Sequence, residues 1–401
     1  MPQGPALLPI LPNPPLSAAL SSIAALLCSV VLLIGGNALV GVTAPLRARL
    51  DGFPDLTIGL IGSAYFAGML AGTLAAAAII RRSGPIRAFA AFVALAVASV
   101  VLMPVFVSPL FWLFCRAVLG FVFAGLYAVI EAWINARASN ANRGALYAVY
   151  QLANFGASAA GQMALQPLGP SGFAPFAVAA ALLALSIVPM AMTSVDPPAQ
   201  PRTVRPRLLW LVRAAPVSSV AAFGAGTANG ASISLGPIYA VGIGMAPDNA
   251  PLFTAAIVVG SALGVFPIGA LSDRIDRRLV MAAVMIMGAA LEIALSRMSA
   301  PGAAVIVLGF LVGLTTYSLY TLAVSIANDG ASPHDMIVIS AGLLFIYCVA
   351  AIASPAIASV LMRDFGAGAL FVQNAAAHMA VAAFALWRLM VEPMPKRRVV
   401  S

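Results

Sequence analysis

Two acidic residues of this chain, Glu131 and Glu292, lie inside long apolar stretches, where a carboxylate is costly and therefore a candidate for chemistry. A charge at the centre of such a stretch costs about 2.5 to 3.5 kcal/mol. The helical face that Glu131 occupies is polar at spacings of about four residues: Arg116, Gly120, Tyr127 and Asn135. A carboxylate there could bind and release a proton or hold a cation. The alternative is that Glu131 holds the loop at 137–143.

Three ionisable residues in apolar stretches besides Glu131 have competing interpretations. Arg116 precedes that first glutamate by about 22 Å along a helix, which excludes direct pairing. It could relay protons, bind an anionic group or have a structural role. Glu292 lies near Arg297 at the end of its stretch, so we expect its carboxylate to reach the aqueous boundary. His378 follows Asn374 by one turn and could be protonated, although a packed, hydrogen-bonded histidine is the simpler interpretation.

Polar side chains recur at helical spacing along two other stretches. The stronger stripe is Tyr147, Gln151, Asn154, Ser158 and Gln162, and the weaker one is Tyr317, Thr321, Ser325 and Asn328. Lipid penalises such stripes, so they are predicted to line a water-accessible cavity. Other polar residues expected around this cavity are Asn37, Tyr65, Tyr127, Asn229 and Tyr239. We expect about half of these side chains to line the cavity and the others to make interhelical hydrogen bonds.

The elements that carry these residues are long and apolar. The chain is 62% hydrophobic and 8% charged, with a mean hydropathy of +1.03, whereas soluble domains are roughly 25% charged. The apolar stretches are about 20 residues long and lack the alternation of barrel strands. The chain is therefore predicted to be an all-α membrane protein. Its first sixteen residues contain no Lys or Arg, so we expect no cleaved signal peptide.

We predict twelve transmembrane helices, at residues 17–45, 57–80, 86–107, 109–135, 143–166, 171–193, 215–241, 250–272, 278–297, 301–327, 335–362 and 367–391. They form an N-terminal bundle at 17–193 and a C-terminal bundle at 215–391. A segment at 1–16 precedes them, a linker at 194–214 joins them, and a basic tail follows at 392–401.

Basic residues are distributed unevenly over alternate loops. Sixteen fall on one set of loops and four on the other, with Arg116 inside a span. Cytoplasmic loops retain Lys and Arg, so both termini and the linker are predicted to be cytoplasmic. The net charge of +9 thus reflects topology and does not indicate a nucleic-acid partner. We expect a monomer in the lipid bilayer.

The second half repeats distinctive residues of the first at an offset of 192. The matched pairs are Asn37 with Asn229, Pro45 with Pro237, Gly68 with Gly260, and Gly72 with Gly264. We expect the paired glycines Gly68 and Gly72 to allow close helix packing. Two related six-helix halves are typical of transporters that rock two bundles around a central site.

A charged segment at 269–278, which we call the clip, reads Gly-Ala-Leu-Ser-Asp-Arg-Ile-Asp-Arg-Arg. It resembles the loop motif of the major facilitator superfamily, and Arg116-x-x-x-Gly120 resembles that superfamily's second motif. Segments 61–68 and 125–137 are similar to the bacterial YcaD-like group. The resemblance implies a secondary transporter of the bacterial inner membrane that moves a small solute by alternating access, coupled to protons. Glu131, Arg116 and His378 become the proton-coupling candidates.

The same resemblance implies a cytoplasmic gate. Asp273 would face the N-terminal end of the fifth helix, where the helix macrodipole favours a carboxylate and where Arg137 and Arg143 lie. The clip residues in this gate are Gly269, Asp273, Arg274, Asp276, Arg277 and Arg278. The corresponding loop of the first half, residues 81–87, has no counterpart of Asp273. We expect its Arg81, Arg82 and Arg87 to face Asp329 and Asp335 instead.

Other functions compete with this interpretation. The one lysine, Lys396, lies in the tail, which excludes a lysine-containing phosphate loop and a buried Schiff base. Three scattered cysteines predict neither disulfides nor a metal site, and we expect no cofactor and no enzymatic activity. Within transport, proton-antiport efflux of amphipathic compounds is the alternative. A non-transporting receptor or assembly protein is the alternative of a different class.

Overall fold

The computed structural model describes residues 16–139, 142–192, 207–329 and 331–391. The predictions for the first fifteen residues, for linker residues 194–206 and for the tail at 392–401 lie outside these ranges. So do several basic residues that entered the orientation argument: Arg202, Arg205, Lys396, Arg397 and Arg398.

A helix or a pair of consecutive helices occupies each of the predicted spans. The first half contains α1 (Leu16–Leu50), α2 (Asp55–Ser83), α3 (Pro85–Leu102), α4 (Pro109–Arg137), α5 (Arg143–Met163), α6 (Leu165–Leu168), α7 (Ala174–Leu185) and α8 (Ile187–Ala191). The second half contains α9 (Leu208–Ala214), α10 (Pro216–Gly242), α11 (Ala250–Arg274), α12 (Arg277–Ser296), α13 (Ala303–Thr316), α14 (Leu319–Asn328), α15 (Pro333–Phe365) and α16 (Ala369–Val391). The described ranges contain no strand, so the all-α fold is confirmed.

The helices differ in how well they suit a bilayer. Within the described ranges, ten candidate spans are long and apolar enough to cross a membrane, or up to eleven if α9 and α10, which meet at 113°, form one span. The helix α5 is not among them because its polar stripe lowers its hydropathy. It nevertheless packs against α1 and α11, inside the bundle. The ten candidate spans, the α9–α10 pair and α5 together are consistent with twelve transmembrane helices.

Glycines bring the same pairs of helices together in both halves. In the first half, a Cβ on Gly68 or Gly72 would overlap the backbone of Ala117 or Phe121 on α4. In the second half, Gly260 and Gly264 of α11 meet α13 in the same way, at Phe310 and Leu314. The expected packing role of Gly68 and Gly72 is confirmed, since a helix can approach this closely only where no side chain intervenes.

The two halves contact each other at the end of the bundle opposite the clip, which we call the far end. The halves meet through α2 with α15, α5 with α11, and α1 and α2 with α10. Gly59 lies against Ser359 and Gly62 against Ser234. A hydrogen bond of 3.1 Å from Gln166 to Asn249 also joins the halves at the far end.

Candidate functional site

A cavity of about 320 Å³, which we call the central cavity, lies between the two halves. Its polar lining from the first half consists of Asn37, Tyr65, Arg116, Tyr127, Asn154, Ser158 and Gln162. The second half contributes Ser232, Thr254, Ser261, Tyr317 and Tyr347. Its volume is at the lower end of the range for small-molecule sites.

One of the predicted spans that carry lining residues is interrupted at such a residue. The tenth predicted span is broken between α13 and α14, and Tyr317 is the residue that ends α13. A break of this kind is tolerated at membrane depth where the backbone lines a cavity. Tyr317, which the polar spacing of this span predicts at the cavity, lies at the break itself.

Half of the fourteen predicted cavity residues line the central cavity. Those at the cavity are Asn37, Tyr65, Tyr127, Asn154, Ser158, Gln162 and Tyr317, together with Arg116. Tyr147, Gln151, Asn229, Tyr239, Thr321, Ser325 and Asn328 are not part of its lining. Gln151 and Thr321 are exposed, and Tyr147 lies two turns before Asn154, beyond the clip-side limit of the cavity.

Asn229 is buried beside the cavity instead of lining it. Its side chain is 7% exposed and lies next to the hydroxyl of Tyr347, which does line the cavity. Asn229 thus contacts the lining residue Tyr347 without lining the cavity itself. The repeated position in the first half, Asn37, reaches the cavity itself, so the two halves use this asparagine differently.

The prediction that Tyr239 lines the cavity is wrong. Its side chain is fully buried within the second half, where its ring packs against Phe253 and Phe371 with centroid distances of 5.2 and 4.7 Å. Its hydroxyl donates a 2.7 Å hydrogen bond to the carbonyl of Leu295. A buried tyrosine needs such a partner, and this one is found in the core of the half-bundle.

Replacing Tyr239 with phenylalanine should therefore lower stability without changing the cavity. The lost hydrogen bond to Leu295 is worth about 0.5 to 1.5 kcal/mol. Thermal unfolding in detergent should show the loss, and Tyr317→Phe, at the cavity, serves as the matched control. Altered solute binding with unchanged stability in Tyr239→Phe would contradict this placement.

Four lining residues, Ser232, Thr254, Ser261 and Tyr347, were missed because they stand alone in apolar stretches. The internal repeat contains a signal for one of them. At the offset of 192, Ser261 corresponds to Met69, and both line the cavity. The same offset relates the lining residues Tyr65 and Ile257. Comparing repeat-related positions in the two halves thus identifies lining residues that polar spacing along one helix does not indicate.

Arg116 is a buried cation at the wall of the cavity. It is 6% exposed, and its guanidinium carbon lies 4.6 Å from the centroid of the Tyr65 ring. Asn37 donates a 3.2 Å hydrogen bond to the hydroxyl of that tyrosine. The Nε and Nη1 groups of Arg116 are buried and have no hydrogen-bond partner within the described ranges. The aromatic ring stabilises the cation through its π face but satisfies none of its N–H groups.

Glu131 lies one helical turn from the lining residue Tyr127, toward the clip. Its side chain is exposed. It lies within electrostatic range of Tyr150 in the first half and of Tyr320 in the second, which places it near the boundary between the halves. No hydrogen bond from Glu131 to the 137–143 loop occurs among the described residues. In that loop, Asn142 accepts a 2.8 Å bond from the amide of Ser139.

Glu292 does not reach the aqueous boundary, contrary to expectation. Its carboxylate is 1% exposed and lies 2.8 Å from Nδ1 of His378, which is fully buried. The packed, hydrogen-bonded interpretation of His378 is the one that the structure shows. One turn away, Asn374 donates a 2.8 Å hydrogen bond to Ser232, a lining residue of the central cavity.

The acids of the clip pair with the arginines that follow them. Asp276 caps α12 by accepting a 2.8 Å hydrogen bond from the amide of Arg278, and their side chains form a 3.2 Å ion pair. Asp273 accepts a 2.8 Å bond from Arg277. These contacts lie within the second half, so part of the motif's charge pattern serves to start a helix.

The acids beyond the clip have partners in the same half. Nε of Arg277 lies 3.6 Å from Asp329, and Asp335 accepts a hydrogen bond from Ser332. None of the ion pairs among the described residues joins Arg82 or Arg87 to Asp329. The exchange of charges between the two loops stays a prediction. Gly269 has open space beside it, so packing in this conformation does not require a glycine there.

The sequence matches a known family along most of its length. The model of the Major Facilitator Superfamily matches residues 26–259 and 217–401. The uncharacterised MFS-type transporter YcaD of Salmonella enteritidis PT4 is 26% identical over 355 residues, which cover 87% of this chain and 91% of that protein. YcaD of Salmonella typhimurium LT2 shows the same identity and coverage.

Solved structures share the fold. The nucleoside transporter NupG superposes with a TM-score of 0.76 at 10% identity, covering 93% of this chain and 99% of NupG. A bacterial homologue of the human lysosomal transporter Spinster, in its inward-facing occupied conformation, gives a TM-score of 0.70 at 14% identity, with 94% of each chain covered. With the twelve predicted spans, the repeated helix crossings and a cavity between two halves, the chain belongs to the Major Facilitator Superfamily, a family of membrane transporters and not of enzymes.

Proposed function

We propose that this protein is a secondary active transporter that moves a small solute across the bacterial inner membrane by alternating access. The observation that carries the proposal is the central cavity, whose lining comes from both halves. Two six-helix bundles, at 17–193 and 215–391, would rock about this cavity as a monomer. The solute would bind between them.

The conformation described here corresponds to the inward-open state if the clip end is cytoplasmic. Along α2, Ile58 lines a separate far-end cavity of about 250 Å³, and Tyr65 lines the central cavity. Between them, Gly59 and Gly62 pack against the second half. This contact separates the central cavity from the far end, whereas the exposed Glu131 lies on the clip side.

The clip would close the cytoplasmic side in the opposite state. When the halves tilt together there, Asp273 would meet the start of α5, and Arg137 and Arg143 would add cationic partners. The ion pairs that Asp273 now makes within the second half would be exchanged for these. Exposed pairs contribute only about 0.2 to 1 kcal/mol each, so the exchange would bias a nearly balanced equilibrium.

We assign proton coupling to Glu131. It is an acid of the fourth predicted span, its side chain is exposed, and it lies within electrostatic range of Tyr320 in the other half. Closing the cytoplasmic side would remove the carboxylate from water, and this removal favours its protonated form. Arg116 and His378 are the other candidates, but Arg116 stays charged in proteins and His378 is already paired with Glu292.

Replacing Glu131 with glutamine should uncouple transport from protons. Purified protein would be reconstituted into liposomes that contain the pH-sensitive dye pyranine, and a panel of small organic solutes would be added with and without a pH gradient. We expect solute-dependent proton movement that falls at least tenfold in Glu131→Gln. Asp248→Asn, an exposed acid at the far end, is the matched control and should keep coupling. Intact proton movement in Glu131→Gln would remove the coupling assignment.

Efflux of amphipathic compounds by proton antiport is the second candidate. Four tyrosines of the central cavity favour it, because they offer aromatic surface with hydroxyl groups: Tyr65, Tyr127, Tyr317 and Tyr347. The sign of the pH gradient that drives solute accumulation separates uptake from efflux. Solute binding without flux under any gradient would instead indicate a receptor.

A further inference from the structure

Arg116 is the one charged side chain among the described residues that line the central cavity. The other polar lining groups are hydroxyls and amides. No carboxylate among the described residues lies within ion-pairing distance of its guanidinium. Glu131, on the same helix, is about 22 Å away along the helix axis. The cavity therefore has a positive charge that the described protein does not neutralise.

A buried cation of this kind needs a partner. Burying an unpaired charge is unfavourable, and arginine does not escape the cost by losing its proton. The Tyr65 ring lies 4.6 Å from the guanidinium carbon and accepts no conventional hydrogen bond from its N–H groups. Two of those groups, Nε and Nη1, have no acceptor within the described ranges. An acceptor that carries negative charge would satisfy both the charge and the geometry.

The rest of the cavity limits what else the ligand can carry. A single guanidinium balances a single negative charge, so a second acidic group would be buried without a cation. Besides the neutral hydroxyls and amides, the remaining walls are aromatic, as at Tyr127 and Phe155, or apolar, as at Ile34 and Val258. A volume of about 320 Å³ accommodates a molecule about the size of one aromatic ring with a short side chain.

We infer that the transported solute is a small monocarboxylate with an aromatic or apolar body, and that Arg116 binds its carboxylate. The inference rests on the proposed transport function and names its substrate class. Tyr65 and Asn37 act as positioning residues: the tyrosine ring holds the guanidinium, and the asparagine fixes the tyrosine hydroxyl at 3.2 Å.

Matched pairs of acids and amides test this assignment on the full chain in detergent at pH 7.5. The probes are benzoate with benzamide, nicotinate with nicotinamide, and 3-phenylpropanoate with 3-phenylpropanamide. Titration calorimetry and ligand-induced thermal shifts would give each affinity. We expect at least one carboxylate to bind at least tenfold more tightly than its amide. The preference should vanish in Arg116→Gln and survive in part in Arg116→Lys, which keeps the charge but loses the planar group.

Arg297→Gln, at an exposed arginine of the far end, is the matched control and should keep the full preference. The inference is wrong if no carboxylate of the panel binds more tightly than its amide, or if the preference persists in Arg116→Gln. The first of these outcomes is read on the unaltered protein, so it does not depend on whether a variant folds. A transporter of neutral solutes would pass the flux experiment and fail this one, whereas a receptor would bind carboxylates without flux.

Discussion

Replacing Gly120 with alanine is expected to prevent the protein from folding stably in the membrane. A Cβ at this position would overlap the backbone carbonyl oxygen of Tyr65, where α2 crosses α4. Backbone atoms cannot rotate away as a side chain does, so the two helices would have to separate. Overpacking of a core costs about 1 to 3 kcal/mol when side chains absorb it, and we expect about 3 kcal/mol or more here.

Gly156→Ala provides a matched control, because that glycine lies within α5 and a Cβ there meets open space. The control should be neutral or up to about 1 kcal/mol more stable, since alanine is the better helix former. Fluorescence-detected size-exclusion chromatography and thermal unfolding would compare the two variants. A well-folded Gly120→Ala with an unchanged melting temperature would show that the α2–α4 crossing is looser than described.

The repeat predicts the same result in the second half. Gly313 of α13 meets the carbonyl oxygen of Ile257 on α11, the same contact that Gly120 makes with Tyr65 in the first half. Ile257 corresponds to Tyr65 at the offset of 192, and Gly313 corresponds to Gly120 at an offset of 193. Gly313→Ala should therefore be as damaging as Gly120→Ala. The recurrence shows that glycine at the crossing is a property of the repeated unit, with the same physical cause in each copy.

The spans could be predicted from the sequence because hydropathy and length are local properties. Each predicted span contains helix, and the helix ends differ from the predictions by a few residues. What the sequence did not predict is where helices break. The interruption between α13 and α14 falls at Tyr317, with no proline or glycine to indicate it. A break inside a bundle depends on neighbours that can satisfy the backbone, and those neighbours are distant in sequence.

The sequence predicted site residues correctly where a polar stripe faces inward. It misplaced them where the rotation of a helix about its axis determines which residues face the cavity. Asn154 and Ser158 on α5 line the cavity as their spacing predicts. Tyr239 was misplaced because α10 turns it toward Phe371 in the half-bundle core. Spacing along one helix gives the relative directions of side chains, but packing against other helices sets which direction faces the cavity.

The glycine crossing and the cation are parts of one arrangement. Because Gly120 admits the backbone of Tyr65, the tyrosine ring can lie against Arg116, one turn earlier on α4. The motif Arg116-x-x-x-Gly120 thus has a physical reason for its spacing: the glycine brings in the helix whose aromatic ring then supports the arginine. Loss of the glycine would remove the support of the cation as well as the helix contact.

Breaking the buried pair of Glu292 and His378 is expected to destabilise the second half strongly. The two side chains are 1% and 0% exposed and lie 2.8 Å apart, linking α12 to α16. His378→Phe would leave the Glu292 carboxyl buried without its partner, at a cost of about 3 to 5 kcal/mol. Arg363→Ala breaks the exposed pair of Arg363 with Asp364 and should leave the melting temperature nearly unchanged, because solvent screens that pair.

A double-mutant cycle separates the pair from its parts. Replacing both residues, as in Glu292→Met with His378→Phe, removes the buried polar groups together, and stability should recover toward that of the unaltered protein. Thermal unfolding of the four proteins would measure the coupling, and a coupling near zero would contradict a direct interaction. The double variant also bears on transport. The informative result would be a double variant that still moves protons with solute while Glu131→Gln does not. That result would show that the pair of Glu292 and His378 has a structural role, joining two helices of the second half. It would assign proton coupling to Glu131.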